Sequence, residues 1–234
     1  MSIASNLEHL RNRIADACAR AHRDPTTVAL MAVSKTHPAE AILEAYAAGQ
    51  RLFGENRVQE FVTKSQVFST PYSLLSTTCS FHLIGPLQNN KTSKAAELFD
   101  AIDTLDSLKT AERLNSAAQT LNKTLGVLIE IKLSHEDTKH GLAPEDLPAF
   151  LTALQPLQNL QVRGLMTVPA FTEYPELARP TFQRLRRLRD ENQPLCPTLT
   201  ELSMGMSHDF QVAIEEGSTT VRLGTAIFGK RDYA

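Results

Sequence analysis

The chain has 234 residues, and its 24 lysines and arginines against 26 aspartates and glutamates leave a net charge of −2. Charge this balanced supplies no bulk attraction to nucleic acid or to an anionic membrane, so any anion must be held by a local site. The three cysteines, Cys18, Cys79 and Cys196, are far apart and odd in number, which argues against a disulfide framework or a cysteine metal site and suits a reducing cytoplasm.

No stretch is long and apolar enough to span a bilayer. The first residues, with Glu8, Asp16 and several arginines, are not expected to act as a signal peptide. Residues 3–21 read as an amphipathic helix, because Ile3, Leu7, Leu10, Ile14 and Cys18 recur at three- and four-residue steps. Ser5 and Glu8 have the spacing of a capping box at its start. Strand-like apolar runs follow at 28–34, 51–54, 81–85, 101–105, 126–133, 162–168, 198–203 and 220–223. Helical patterns lie between them at 39–48, 58–68, 90–99, 108–121, 144–154, 175–191 and 209–216. A polar loop around Pro71 is expected at 69–80.

Eight strands alternating with seven helices predict a parallel sheet closed into a single (β/α)8 TIM-type barrel. The extra N-terminal helix can serve as the eighth. The competing fold, an open doubly wound sheet, wants a glycine-rich turn after its first strand, and Ser34-Lys35-Thr36 has no glycine. With no repeat or linker, one domain over 1–234 is expected.

Functional groups of such barrels collect at the C-terminal ends of the strands. Lys35 closes the first apolar run, where an amine is costly unless used. A partly desolvated lysine is a nucleophile toward carbonyl compounds, although a lone lysine at a strand end is more commonly a solvated cap. Gly54-Glu55-Asn56 follows the second strand. The loops after strands seven and eight, a frequent phosphate site, carry Ser203, Ser207, Gly224 and Thr225. A helix cap at Ser207 and a tight turn at Gly224 are the plain alternatives. Strand alternation turns Arg222 inward just below Gly224, where it needs an acceptor: a carboxylate such as Glu130, or a ligand atom.

An amine, a phosphate cradle and an inward arginine together suggest pyridoxal 5′-phosphate: the aldehyde on Lys35, the phosphate on the last two loops, the ring nitrogen toward Arg222. A cation opposite that nitrogen disfavours its protonation and makes the ring a weaker electron sink. That suits carriage or limited proton transfer more than demanding carbanion chemistry.

The chain resembles the pyridoxal phosphate homeostasis protein family. The similarity rests on Ala32-Val33-Ser34-Lys35-Thr36, Phe53-Gly54-Glu55-Asn56, His82-Leu83-Ile84-Gly85-Pro86-Leu87-Gln88, Gly164-Leu165-Met166, Leu202-Ser203-Met204-Gly205-Met206-Ser207 and Val221-Arg222-Leu223-Gly224-Thr225, in order along nearly the whole chain. The resemblance implies a barrel like the N-terminal domain of alanine racemase, with a Schiff base to the cofactor on Lys35. It further implies phosphate held by Ser203, Gly224 and Thr225, Arg222 at the ring nitrogen, and Asn56 and His82 lining the pocket. It implies a reversible carrier in vitamin B6 and amino-acid homeostasis, offering the cofactor to apo-enzymes, rather than an enzyme.

The chain departs from the family at His37, where a second lysine is common, at Phe81, where tryptophan is common, and after Tyr233, where some members carry a lysine-bearing tail. Lys139 does match a family lysine; it reads equally as a solvated loop charge. An amino-acid racemase is the alternative function, but it needs a proton donor on each face of the substrate, and no second base is evident. No metal-ligand spacing occurs among the seven histidines. Arg184, Arg186, Arg187 and Arg189 read as a solvated helix face rather than a nucleic-acid surface. No apolar stripe asks for a dimer, so a monomer is expected.

Overall fold

The apolar runs become eight short parallel strands: β1 (Ala29–Val33), β2 (Leu52–Glu55), β3 (Ser80–Leu83), β4 (Ala101–Leu105), β5 (Leu125–Glu130), β6 (Leu160–Met166), β7 (Glu201–Ser203) and β8 (Thr220–Leu223). They pair in sequence order, and β8 returns to pair with β1, closing the barrel. This computed structural model describes residues 2–67, 78–134 and 140–229. Most of the loop expected at 69–80 lies outside them, as do His135, Lys139 and Tyr233, while Ser80 already opens β3.

The surrounding helices are α1 (Ile3–Arg20), α2 (Ala39–Ala47), α3 (Val58–Val67), α4 (Thr92–Leu98), α5 (Leu108–Thr120), α6 (Leu147–Leu154), α7 (Arg179–Asn192), α8 (Phe210–Glu215) and the four-residue α9 (Thr225–Phe228). α9 is absent from the sequence pattern, being too short to show a period. Three expected helices begin as tighter 3-10 turns, at Asn89–Lys91, Pro144–Asp146 and Pro175–Ala178. Proline opens the last two, where its fixed φ and missing N–H cost little.

The N-terminal helix does act as the eighth. α1 packs against α2, α8 and α9 with Leu7, Leu10, Ile14, Ala17 and Cys18 buried. Asn6 Nδ2 donates to Ile227 O at 2.8 Å, tying α1 to α9. Its cap is Ser2, whose hydroxyl accepts from the Ser5 N–H, not the Ser5–Glu8 box. Ile3 is already helical, so Ser5 lies inside the first turn.

Two cores result. Between sheet and helices, Phe53 stacks on Phe81, and Phe61 packs against both Phe81 and Phe99. The barrel interior is different: Met31, Leu128 and Met166 share it with His82, Asp103, Ser203 and Arg222, all buried. Those polar groups set the chemistry of the mouth.

Candidate functional site at the barrel mouth

Lys35 stands where β1 stops. The Ser34 N–H still donates to Gly54 O at 3.0 Å, extending the pairing with β2 by one residue. Lys35 itself is half-buried. Thr36 then turns the chain with φ +66°, and the His37 N–H closes the turn on Ser34 O at 3.1 Å. A β-branched residue in the left-handed region is strained by about 1–3 kcal/mol, so the surroundings must enforce it.

They do so from behind the sheet. Lys64, on the inner face of α3, donates to Ser34 O at 2.9 Å and to Glu55 Oε1 at 2.8 Å, and pairs with Glu60 at 2.7 Å. Glu55 also accepts from the Ser34 hydroxyl at 2.7 Å, and Glu60 accepts from the Thr36 N–H at 2.5 Å. Burial pushes the Glu55 carboxyl up in pKa against the pull of Lys64. Glu60, despite partial burial, is held down by its bonds to Lys64 and the Thr36 N–H. The His37 ring lies 4.9 Å from the Phe228 ring, bridging this turn to α9.

The wall on the other side of β1 is built by β7 and β8. Ala32 pairs with Leu223, so one step further Val33 stands beside Gly224. A Cβ on Gly224 would come within 3.2 Å of Val33 O. Lys35 and Thr225 therefore leave the barrel side by side. Thr225 is exposed at the first position of α9; the Ile227 and Phe228 N–H groups close back on Gly224 O. After β7 the chain turns at Gly205 with φ +96°, where a Cβ would stand 2.6 Å from Ala213 Cβ. Gly205 O accepts from the Arg222 N–H at 2.9 Å, and Asp209 Oδ1 accepts from the Met206 N–H at 2.6 Å. Ser207 lies half-buried in that turn and does not cap α8; Asp209 occupies the cap position.

Arg222 points into the barrel, as alternation predicts, but its hydrogen bonds do not go to Glu130. Nη1 donates to Ser203 Oγ at 2.7 Å and Nη2 to Thr167 O at 2.8 Å. Burial lowers its proton affinity, while Asp103, Glu130 and Asp209 act from a distance to raise it. An arginine in such company stays charged. Ser203 is fully enclosed beneath the mouth; its hydroxyl accepts from Arg222 and keeps its own hydrogen to donate.

His82 is buried with Nδ1 3.0 Å from Asp103 Oδ1. Burial disfavours the charged ring, but Asp103, with Glu201 and Asp100, outweighs it and raises its pKa. Asn56 is half-buried at the top of β2, and a Cβ on Gly85 would meet Asn56 O at 2.2 Å, so only glycine fits beside it. A cavity of about 600 Å³ runs from Asn56 to Thr104 and Glu130, and a second of about 220 Å³ shares Thr104 and Glu130. Neither is walled by Lys35 or Thr225.

The structure thus gathers Lys35, Gly224 and Thr225 at one edge of the mouth, with Arg222 and Ser203 beneath. Asn56 and His82 stand on β2 and β3. Sequence reading missed Lys64, Glu60, Asp103, Thr167 and Asp209. Two left a signal: Asp103 interrupts an apolar strand, and Lys64 falls at the third step of the Val58, Phe61 stripe of α3. Among the described residues no group of three His, Cys, Asp or Glu is placed to hold a metal, and no helix is long and apolar enough to cross a membrane.

Known proteins are similar to this chain along its length. The model of the alanine racemase N-terminal domain covers residues 5–232. The pyridoxal phosphate homeostasis protein of Vibrio alginolyticus is 45% identical over 233 residues, covering 100% of this chain and 99% of that protein. That of Aquifex aeolicus is 42% identical over 234 residues, covering both fully. The structure of PipY from Synechococcus elongatus with pyridoxal phosphate (PLP) bound superposes with a TM-score of 0.85 at 42% identity, covering 97% of this chain and 100% of that one. Alanine racemase from Clostridium difficile shares the fold at 15% identity and a TM-score of 0.74, with 57% of its chain covered.

Proposed function

This chain belongs to the alanine racemase N-terminal-domain family, among the pyridoxal phosphate homeostasis proteins, and on that premise we propose that it binds PLP reversibly and buffers it, with Lys35 as the covalent attachment point. The observation that supports this reading is the register that sets Lys35, at the end of β1, beside the Gly224 and Thr225 turn that ends β8, the strand that also carries the enclosed Arg222 guanidinium.

The donor set fits the cofactor. Bound, PLP supplies an aldehyde that condenses with a primary amine, releasing water. Lys35 offers that amine. Thr225 offers an exposed hydroxyl at the start of α9, where the Thr225 and Ala226 N–H groups precede the first one closed on Gly224 O, that of Ile227. Ser207 offers a second hydroxyl from the neighbouring loop. Arg222, locked by Ser203 and Thr167, presents a fixed cation from below, which keeps a ring nitrogen unprotonated. Asn56 and His82 would line the pocket from β2 and β3. Ser203 acts through Arg222 and keeps its own hydroxyl hydrogen to donate.

A ring kept neutral at its nitrogen would withdraw electrons weakly, which suits carriage or limited proton transfer over demanding carbanion chemistry. The relatives, named for homeostasis rather than for a reaction, support the same reading. The protein works as one barrel domain, monomeric in the cytoplasm, passing the cofactor to apo-enzymes.

The test is an absorption spectrum with added PLP, then borohydride reduction and peptide mass mapping. The expected result is one reduced adduct on Lys35, lost in Lys35→Ala. Adducts scattered over surface lysines would sink the attachment site. Sustained racemisation of a purified amino acid, lost in Lys35→Ala, would move the protein to the enzymes.

A further inference from the structure

We propose that Lys64, with Glu55 and Glu60, is a positioning device for Lys35: a three-residue clamp that fixes the backbone on both sides of the attachment lysine. This rests on the reading of Lys35 given above and goes one step beyond it.

The geometry is specific. The carbonyl just before Lys35, Ser34 O, accepts from Lys64 Nζ at 2.9 Å. The amide just after it, the Thr36 N–H, donates to Glu60 Oε1 at 2.5 Å. Lys64 and Glu60 are themselves paired at 2.7 Å, so both ends of the turn are tied to one ion pair four residues apart on α3. Glu55, wholly buried, takes a second Lys64 proton and the Ser34 hydroxyl. The Lys64 ammonium has three hydrogens, and Ser34 O, Glu55 and Glu60 use all three.

The clamped turn is also the strained one. Thr36, whose N–H is the second tether, sits at φ +66° directly after Lys35. Relaxing it would swing the Lys35 Cα relative to β1, and with it the reach of the amine. The clamp stands behind the sheet, away from the mouth where a ligand enters, so it acts on the lysine's backbone rather than on the ligand.

Linking requires the neutral Lys35 amine to add to the aldehyde carbon; a carbon–nitrogen double bond replaces the carbon–oxygen one, and the oxygen leaves with the two amine hydrogens as a water molecule. Holding the amine within reach speeds and favours that step, and an ångström of misplacement costs on the order of a hundredfold. Holding the phosphate and ring does not need the amine.

The experiment separates the two. Wild type, Lys64→Met and Glu60→Ala are titrated with PLP, followed by the absorbance of the covalent form. Each is also titrated with pyridoxine 5′-phosphate, which keeps ring and phosphate but has an alcohol in place of the aldehyde. Hydrogen exchange of the Thr36 amide is read on the free proteins. The clamp predicts that Lys64→Met links PLP about ten- to a hundredfold more slowly, with a matching loss of apparent affinity, while pyridoxine phosphate affinity stays at the wild-type value. Glu60→Ala should move the same way by less and speed Thr36 exchange. Lys64→Arg should recover part of the linking rate.

Equal losses for both ligands would reduce Lys64 to a general stabiliser and overturn the inference, as would unchanged linking in both variants. Glu60→Ala, at a half-buried site, decides the matter where Lys64→Met does not fold. A wild type that binds PLP without any link to Lys35 would instead overturn the attachment reading beneath it.

Discussion

The two walls of the barrel mouth are held in place by opposite means. At the β1–β2 edge, side chains do the work: Lys64, Glu55 and Glu60 reach through from α3 and β2 to grip Ser34 and Thr36. At the β7–β8 edge the backbone largely holds itself. Gly205 O accepts from the Arg222 N–H, the Met204 N–H donates to Thr220 O, and the Ser218 hydroxyl reaches Met204 O at 2.7 Å. An amine must be aimed, so its wall is tuned by side chains at a distance. On the proposed reading an anion would be met here by N–H groups and hydroxyls, and such a wall needs only the right backbone path. A wall of side-chain tethers can be cut by one substitution. The backbone wall is vulnerable only where a glycine sets its path or where Arg222 stands below it.

Arg222→Met tests that second weakness, with the largest expected effect. It removes the guanidinium from Ser203 Oγ and Thr167 O and leaves Asp103, Glu130 and Asp209 without their shared cation. Truncating one partner of a buried charged cluster costs about 3–5 kcal/mol. Urea denaturation at neutral pH should register that loss. A change below about 1 kcal/mol would mean that the interior charges are hydrated rather than paired.

Thr225→Ala cuts the anion wall without touching the barrel. Thr225 is exposed, so the melting temperature should hold while PLP affinity falls by about 1.5–3 kcal/mol, the worth of one charge-assisted bond. Ser203→Ala should do the reverse in part, lowering stability as well as affinity, because Arg222 loses a bond. Identical behaviour of the two variants would erase the distinction between a hydroxyl at the mouth and one beneath it.

Gly205→Ala probes the backbone path. Its φ of +96° disfavours any side chain, and the new Cβ would meet Ala213 Cβ at 2.6 Å and Phe210 Cα at 3.0 Å. A loss of about 1–3 kcal/mol is expected in denaturation, with a matching disturbance of the β7 loop and no effect on the β1–β2 edge. Thr36 amide exchange should stay at the wild-type rate. Faster exchange there would show that the two walls are mechanically coupled.

Much of this architecture could be read from the chain, and the exceptions are instructive. β4 and β8 are read to the residue, because Asp100 and Asp106 bound one and Gly217 and Gly224 lie near the other. β5 is read too long: the Ile131 N–H still reaches Met166 O of β6 at 2.8 Å, but the next residue turns to Leu142, through Lys132 N–H to Leu142 O at 2.9 Å. β7 is read too early: the Thr200 N–H divides between Arg163 O and Thr198 O, bending the approach. Lys35, Arg222 and the last two loops were visible because strand alternation and chain order alone place them. The clamp was not. It joins Ser34 to Lys64 across 30 residues, and no local rule pairs a helix lysine with a carbonyl on another strand. The same holds for His82 and Asp103, on adjacent strands 21 residues apart.

That last pair yields the smallest effect and a directional one. Asp103 raises the pKa of His82 above its ordinary value of about 6.5, against the burial that lowers it. A raised histidine pKa means that the folded state holds the proton more tightly than the unfolded one. The stabilisation is therefore complete below about pH 6.5 and fades as pH rises through the higher folded value. Replacing His82 with glutamine keeps a donor toward Asp103 but removes the titration. The gap between wild type and His82→Gln in denaturation midpoint should narrow as pH climbs from about 6.5 upward. A gap that stays constant through the window would mean that His82 is neutral in the fold and serves Asp103 only as a donor.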